Sequence, residues 1–191
     1  MNPEKQKVMK LLPEPLLDGR RRDYTIEMLI EGTPADPTAP EERRLLNLVV
    51  PPWQRQEVWS TDQKTRFIEG IFLGLGTGYY VINGQDWSAD GKSLPMSGWL
   101  LDGQQRLSSI RDFLMNALPI FDGIVYSDLD RPTAIKRFLR HSFPCFEIDY
   151  TSNEHKLKDL YERLNFGGTA HTADDRVAFE QTPSLRVRIR P

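Results

Sequence analysis

The chain has 191 residues, with 25 Lys and Arg against 27 Asp and Glu and a formal net charge of −2. That length suits one domain of ordinary size, or one domain with arms, able to bury a real core. A slightly acidic balance excludes a protein that is basic throughout. Any nucleic-acid contact must come from a local patch such as Arg20-Arg21-Arg22 or Arg137/Arg140, and such runs are more often simply solvated.

Residues 1–23 mix lysines, prolines and a few leucines around Gly19-Arg-Arg-Arg22 and are expected to form an N-terminal arm, partly ordered at best. This start is charged and proline-broken, and nothing later reads as a membrane span, which predicts a cytoplasmic protein with no membrane partner. Tyr24–Glu31 reads as a short helix stopped by Gly32, and a loop punctuated by Pro34, Pro37 and Pro40 leads to an apolar strand over Leu45–Val50. Pro51-Pro-Trp-Gln-Arg-Gln-Glu-Val-Trp59 follows. Prolines fix the chain as it leaves the strand, and Gln54 and Arg55 sit between two tryptophans. That arrangement suits either a base-stacking wall or a packed corner. Ser60-x-x-Gln63 has the form of a capping box, and Phe67, Ile68, Ile71, Phe72 and Leu75 place one apolar face on the helix it opens. Gly74, Gly76 and Gly78 end that helix.

Tyr79–Ile82 predicts a strand, Asn83-Gly84 a turn, and Trp99–Asp102 a second strand antiparallel to the first. In the polar excursion between them, Asp86-Trp-Ser-Ala-Asp-Gly-Lys-Ser93 approaches a Walker A loop. It lacks the first glycine and meets Leu94-Pro95 where a helix has to start, so it reads as a loop turning at Asp90-Gly91. A helix over roughly 103–116 comes next. Leu118–Val125 is expected to be extended, and Arg131–Arg140 helical with Pro132 in its first turn. Phe143–Tyr150 is a strand holding the single cysteine, Cys145, which reads as a buried structural thiol and excludes an internal disulfide framework. Thr151-x-x-Glu154 resembles another capping box, ahead of a helix with Leu157, Leu160, Tyr161 and Leu164 on one face. It ends in Asn165-Phe-Gly-Gly-Thr169, a loop whose backbone can approach a ligand closely. His141, His155 and His171 show no metal-ligand spacing, and the tail over 177–191 carries no assignable pattern.

The stretch Leu100-Leu101-Asp102-Gly103-Gln104-Gln105-Arg106-Leu107 organises the rest. An apolar strand runs into a glycine turn and straight into a helix, with Leu107, Ile110 and Leu114 at helical spacing. Such a junction leaves the first backbone N–H groups of the helix unpaired, which suits a phosphate or another anion. Around it Arg106 can fork onto phosphate oxygens, two amides can donate and accept, and Asp102 can hold a hydroxyl, a water or a metal. A capped helix with a solvated first turn is the plainer alternative.

Three segments together resemble the GmrSD restriction-enzyme N-terminal domains, within the ParB/sulfiredoxin-like fold. They are Val50-Pro-Pro-Trp-Gln-Arg-Gln-Glu-Val-Trp59, Asp102-Gly-Gln-Gln-Arg106 and Tyr161-Glu-Arg-Leu-Asn-Phe-Gly-Gly-Thr169. The resemblance covers residues 24–176 and implies a mixed α+β domain that binds a nucleotide at the strand–Gly–helix junction. In the ParB relatives a Gly-Glu-Arg-Arg version of this turn holds the triphosphate; here Gln104 stands in place of the glutamate. The branch is linked to NTP hydrolysis and DNA cleavage in defence, and the wider fold includes a free-serine kinase. Many family members carry a second nuclease domain of the His-Asn-His type. No paired His/Asn constellation follows Gly168, so DNA cutting is expected to come from the fold itself or from a partner.

Phosphoryl-transfer sites mainly position groups and neutralise charge. On that footing Gly103, Gln104 and Gln105 would offer N–H groups to the phosphates of ATP, GTP or CTP, and Arg106, helped by Arg55, would neutralise equatorial oxygens. Asp102 would coordinate Mg²⁺ or orient the attacking water or hydroxyl. Gln54 belongs to the same binding set, Trp59 or Trp53 would wall the base, and Asn165 with Gly167 and Gly168 would close over the site. The alternatives are a structural Asp102–Arg106 ion pair and tryptophans that belong to the core. Three activities fit: an NTP hydrolase working on or alongside DNA, a phosphotransferase to a hydroxyl of a modified base or small metabolite, and a non-catalytic nucleotide or nucleic-acid sensor. Expected partners are the nucleotide, DNA, and a nuclease subunit or a second copy. The architecture expected is one sheet shared by segments 46–50, 79–82 and 98–101, with the helix from Gly103 starting at its edge.

Overall fold

The computed structural model describes residues 15–166. The chain runs through β1 (Gly19–Arg22), α1 (Met28–Glu31), β2 (Arg43–Leu45), β3 (Leu48–Val50), α2 (Thr61–Phe72), β4 (Tyr80–Asn83) and β5 (Leu100–Asp102). It continues with α3 (Gln104–Leu114), a 3₁₀ turn (Tyr126–Asp128), α4 (Arg131–Ala134), a π-helical turn (Ile135–Leu139), β6 (Cys145–Ile148) and α5 (Glu154–Phe166). The expected mixed α+β class is present. The main sheet has the order β1-β6-β4-β5, with a parallel β4–β6 pair at its centre and antiparallel strands on both edges.

Successive strand residues point to opposite faces, and each face builds its own core. Tyr80, Ile82 and Leu100 face α2, α3 and the π-helical turn, where Phe72, Phe113 and Phe138 meet. Phe72 stacks on Phe138 at 5.6 Å between centroids, and Phe113 meets Phe138 edge-on at 5.0 Å. Val81, Leu101 and Ile148 face the other way, onto Leu157 and Leu160 of α5. The capping box of α2 forms as read: Gln63 N–H donates to Ser60 Oγ at 3.3 Å, and Ser60 N–H donates to Gln63 Oε1 at 2.9 Å. Burial pushes the Cys145 thiol up to about 12, so it is an inert core group. Among the described residues no helix is long and apolar enough to cross a membrane.

Several local expectations are corrected. The basic run at 19–22 is an edge strand, paired to β6 from Gly19↔Ile148 to Arg22↔Cys145, so part of the expected arm belongs to the sheet. Its register is held by Arg22 Nε donating to Glu147 at 3.2 Å, and by Gly19, where a Cβ would lie 2.2 Å from the Glu147 carbonyl oxygen. Leu45–Val50 is two strands, because Leu46 adopts φ +54° and Asn47 bonds back to the Gly32 carbonyl. The β2–β3 hairpin forms a separate small sheet, joined to the main one by a single Val49–Trp99 bridge, so the expected common sheet holds only for the other two segments. Leu118–Val125 doubles back between Ile120 and Ile124 through Phe121, Asp122 and Gly123, all at positive φ. Arg131–Arg140 starts as expected, with Asp130 capping Thr133 N–H at 2.7 Å, but becomes π-helical after Ala134. At α5 the cap is Asn153, which accepts from Lys156 N–H at 3.2 Å; Thr151 supports it by accepting from Asn153 N–H.

This construction ranks two substitutions. Phe138→Ala, at the meeting point of three elements, should cost about 3–5 kcal/mol by urea unfolding. Ser60→Ala, which removes one half of the cap, should cost about 1 kcal/mol.

Candidate functional site

The central turn lies where the edge strand β5 becomes α3. Asp102 still pairs with Val81 of β4, and Gly103 then takes φ +102° and ψ +4°. A Cβ at Gly103 would sit 2.7 Å from the Tyr80 Cβ, so both the dihedral and the space demand glycine. α3 begins at Gln104 with no side-chain cap at its N-terminus. Arg106 Nη2 donates to Asp102 Oδ2 at 2.8 Å, and each side chain is about a quarter exposed (24% and 27%). The guanidinium also packs against the backbone at Gly78, where a Cβ would come within 2.6 Å of Nη1. Arg106 is thereby held between a carboxylate and a glycine turn, with one side open to solvent.

The glutamines divide into different roles. Gln105 Oε1 accepts from both Val58 N–H and Trp59 N–H at 3.0 Å, which pins the segment after the prolines to the first turn of α3. Gln54 is buried and its Nε2 donates to the Leu100 and Leu101 carbonyls at 3.3 and 3.4 Å, along the strand that leads to Asp102. Gln104 is 6% exposed, and both its amide oxygen and nitrogen are buried without a partner among the described residues. The Gln54 Oε1 is in the same position. Buried amides without partners are costly, so this junction holds unused hydrogen-bonding capacity.

Arg55 and Asp102 both lie within electrostatic reach of Tyr161 on α5. Burial pushes the Tyr161 hydroxyl up, the Arg55 backbone and guanidinium oppose that, and Asp102 adds to it. Trp53 packs edge-on against Tyr161 at 5.0 Å and Trp99 at 5.8 Å, and Trp59 packs edge-on against Phe67 at 5.8 Å. Both tryptophans therefore sit in packed corners. Asn165 Nδ2 donates to the Tyr161 carbonyl at 2.9 Å in the last part of α5, while Gly167 and Gly168 lie outside the described residues.

A charged network that the sequence reading missed braces this region. Lys64 Nζ of α2 bonds Glu57 at 2.8 Å and Asp112 of α3 at 2.7 Å, and Arg111 bonds Glu57 at 3.0 Å and Asp112 at 2.6 Å. Only the adjacency of Arg111 and Asp112 was visible in one dimension; the other partners come from separate elements. Among the described residues no group of three or more His, Cys, Asp or Glu is placed to hold a metal. Mg²⁺ commonly binds through one or two carboxylates together with substrate phosphates, and Asp102 meets only that minimal requirement. Two concavities, of about 330 and 170 Å³, are lined respectively by residues around Tyr126 and around Trp87, and neither includes a residue of the 102–106 turn. Within the turn Gly103 and Gln104 are buried, and Asp102, Gln105 and Arg106 are partly exposed.

Comparison with known proteins supplies one match. The family model for the GmrSD restriction endonuclease, N-terminal domain, matches residues 39–137, which is 99 of the 191 residues (137 − 39 + 1). The matched span includes the 53–59 segment, the charged network and the 102–106 turn. No curated protein and no solved structure matches the chain.

The network makes the brace acid-sensitive. Burial pushes the Glu57 and Asp112 carboxyls up, but hydrogen bonds from Lys64 and Arg111 outweigh it and leave both below their ordinary values of 4.5 and 3.8. Depressed carboxyls contribute stability that is present above the unfolded values and lost as pH falls through the folded ones. The stability that these two carboxyls contribute should therefore hold from pH 7 to about 5 and be lost below about 4. Lys64→Met should cost about 1–2 kcal/mol at pH 7 and flatten that acid limb, as read by urea titration across pH.

Proposed function

The chain belongs to the GmrSD restriction endonuclease N-terminal domain family, and from that premise we propose that it binds a nucleoside triphosphate at the 102–106 turn and catalyses phosphoryl transfer, with NTP hydrolysis on or alongside DNA as the reaction. The family is one of nuclease-type enzymes acting on DNA, which supplies the setting. The observation that carries the finer reading is Arg106, fixed beside Asp102 at the uncapped start of α3.

A triphosphate at this junction meets three kinds of group. The first N–H groups of α3 have no side-chain cap and give fixed partial positive charge at the start of the helix. Arg106 adds a full charge whose orientation is already set by Asp102 and Gly78, so little is lost in ordering it. Arg55, which like Asp102 acts electrostatically on Tyr161, is the second cation of the proposed set. The unpartnered Gln104 amide offers a donor and an acceptor to the same ligand after a small side-chain shift. Mg²⁺ carried in on the phosphates would neutralise developing charge, with Asp102 as its carboxylate. Asp102, held by Arg106, is equally placed to orient a water or a hydroxyl.

Calorimetry with ATP, GTP and CTP tests the binding step. At least one should bind, and Arg106→Ala should weaken it about tenfold or more, since a charge-assisted contact contributes roughly 1.5–3 kcal/mol. No binding by any of the three to folded protein sinks the reading. Asp102→Asn separates positioning from binding: affinity should stay within a few-fold while turnover falls by about 10²-fold, the scale of losing a general base. Tight binding with no turnover in the parent would make the domain a sensor.

A further inference from the structure

The surface beside the central turn carries apolar side chains and unpaired cations together. After α2 the chain reads Leu73-Gly-Leu-Gly-Thr-Gly-Tyr79, and Leu73, Leu75 and Tyr79 are 63%, 61% and 48% exposed. This ridge is tied down at several points. Gly74 N–H donates to the Ile71 carbonyl at 3.1 Å, Leu75 N–H donates to the Gly70 carbonyl at 2.8 Å, and the buried Thr77 hydroxyl donates to the Ser142 carbonyl at 3.0 Å. An apolar ridge held in place and facing water marks a contact surface.

Basic residues flank it from two elements. Arg66 lies one and two turns back along the α2 face that carries Gly70 and Leu73. Lys136 and Arg140 are exposed on and just after the π-helical turn. That turn is fastened to the ridge by Arg137, whose Nη2 donates to the Phe72 carbonyl at 2.6 Å. Among the described residues the ion pairs all lie elsewhere, so Arg66, Lys136 and Arg140 have no carboxylate partner. On this side of α2 the acids are Asp62, one turn before Arg66 and in no ion pair among the described residues, and Glu69, which accepts from Phe121 N–H at 2.9 Å. In a chain of net charge −2, a face of unpaired cations is complementary to a polyanion. At its far end Gly78 touches the Arg106 guanidinium, so whatever lies along the ridge reaches the central turn.

We infer that the face formed by Arg66, Leu73, Leu75, Tyr79, Lys136 and Arg140 is the duplex-DNA docking surface of this domain. The cations take the phosphates of the backbone, and the leucines and tyrosine press on the groove edge, where apolar side chains gain from partly unstacked steps. The inference rests on the reading of the domain as one that works on DNA, and it adds where the duplex lies.

Fluorescence anisotropy of the full chain with a labelled DNA duplex, at several salt concentrations, tests it. The double substitution Lys136→Glu/Arg140→Glu should weaken binding at least tenfold and reduce the log K against log salt slope by about 2, as expected for two lost phosphate contacts. Arg66→Glu, on a different element, should reduce the slope by about 1. Leu75→Ser should weaken binding several-fold with the slope unchanged, because no counterion is involved. Lys156→Glu, on α5 across the sheet, should change neither. Duplex affinity and slope unaffected by the charge reversals would overturn the inference, as would polyglutamate competing as well as DNA, which would identify a face for acidic proteins. A parent that binds no duplex overturns it as well. Calorimetry with nucleotide on the same samples keeps the two claims apart: loss of nucleotide binding by the parent with duplex binding intact refutes the 102–106 site and leaves the ridge standing.

Discussion

The left-handed turn at Gly103, pressed against Tyr80, is the constraint on which the rest depends. It lets an edge strand stop and a helix begin within one residue, with no room for a side chain. Because β5 is the edge of the sheet, α3 starts beside the segment after the prolines, whose Val58 and Trp59 N–H groups Gln105 holds. Because the turn is so short, residues on the strand side and the helix side fall within hydrogen-bonding distance. Asp102 and Arg106 meet across it as an i,i+4 pair that a continuous helix would have placed on a lateral face. The geometry thus converts a local sequence pattern into a guanidinium fixed beside the uncapped first turn of a helix.

That turn needs a wall, and the proline-led segment supplies it through two kinds of contact. Neutral amide contacts from Gln54 and Gln105 bind backbone to backbone across the junction. The four-charge cluster of Glu57, Lys64, Arg111 and Asp112 then locks the segment to α2 and α3 together. Partly exposed ion pairs contribute little one at a time, but each of these charges has two opposite partners, and networks of that kind hold geometry better than isolated pairs. The family motif around the prolines is accordingly read as a brace as much as a ligand wall: Gln105, placed by sequence among phosphate contacts, spends its side-chain oxygen on that brace.

Features governed by neighbours in sequence were legible beforehand. The capping box at Ser60, the apolar faces of α2 and α5, and the strand–Gly–helix junction all follow from spacing and local stereochemistry. What escaped is what depends on distant partners. Three arginines in a row read as a solvated arm because nothing local shows that β6 lies alongside, with Glu147 opposite Arg20 and bonded to Arg22. The hairpin within 43–50 was hidden because its turn uses Leu46 and Asn47 without glycine, and Asn47 is held by carbonyls from α1 and its cap. The bend within 120–124 puts Phe121 and Asp122 at positive φ, a choice that propensity argues against. At the site, residue identity was legible but the division of labour was not. Whether a glutamine faces a ligand or a neighbouring N–H is decided by elements that lie 46 or 47 residues away.

The pairing of β1 with β6 also bears on how the protein is made. Arg22 and Glu147 are 125 residues apart, and β6 sits between β1 and β4. A ribosome adding roughly 5–20 residues per second needs about 6–25 s to cover that distance. Throughout that interval β1 has no partner, and β4, once made, presents a bare apolar edge until β6 arrives, by which time the hairpin, α2, β5 and α3 have been made. The sheet closes only when its central strand arrives, close to the end of the described chain. High contact order of this kind slows folding and exposes unpaired strand to other chains. The nascent domain is therefore most vulnerable just before it is complete, and the arginines of its first strand put like charges on the edge that waits longest.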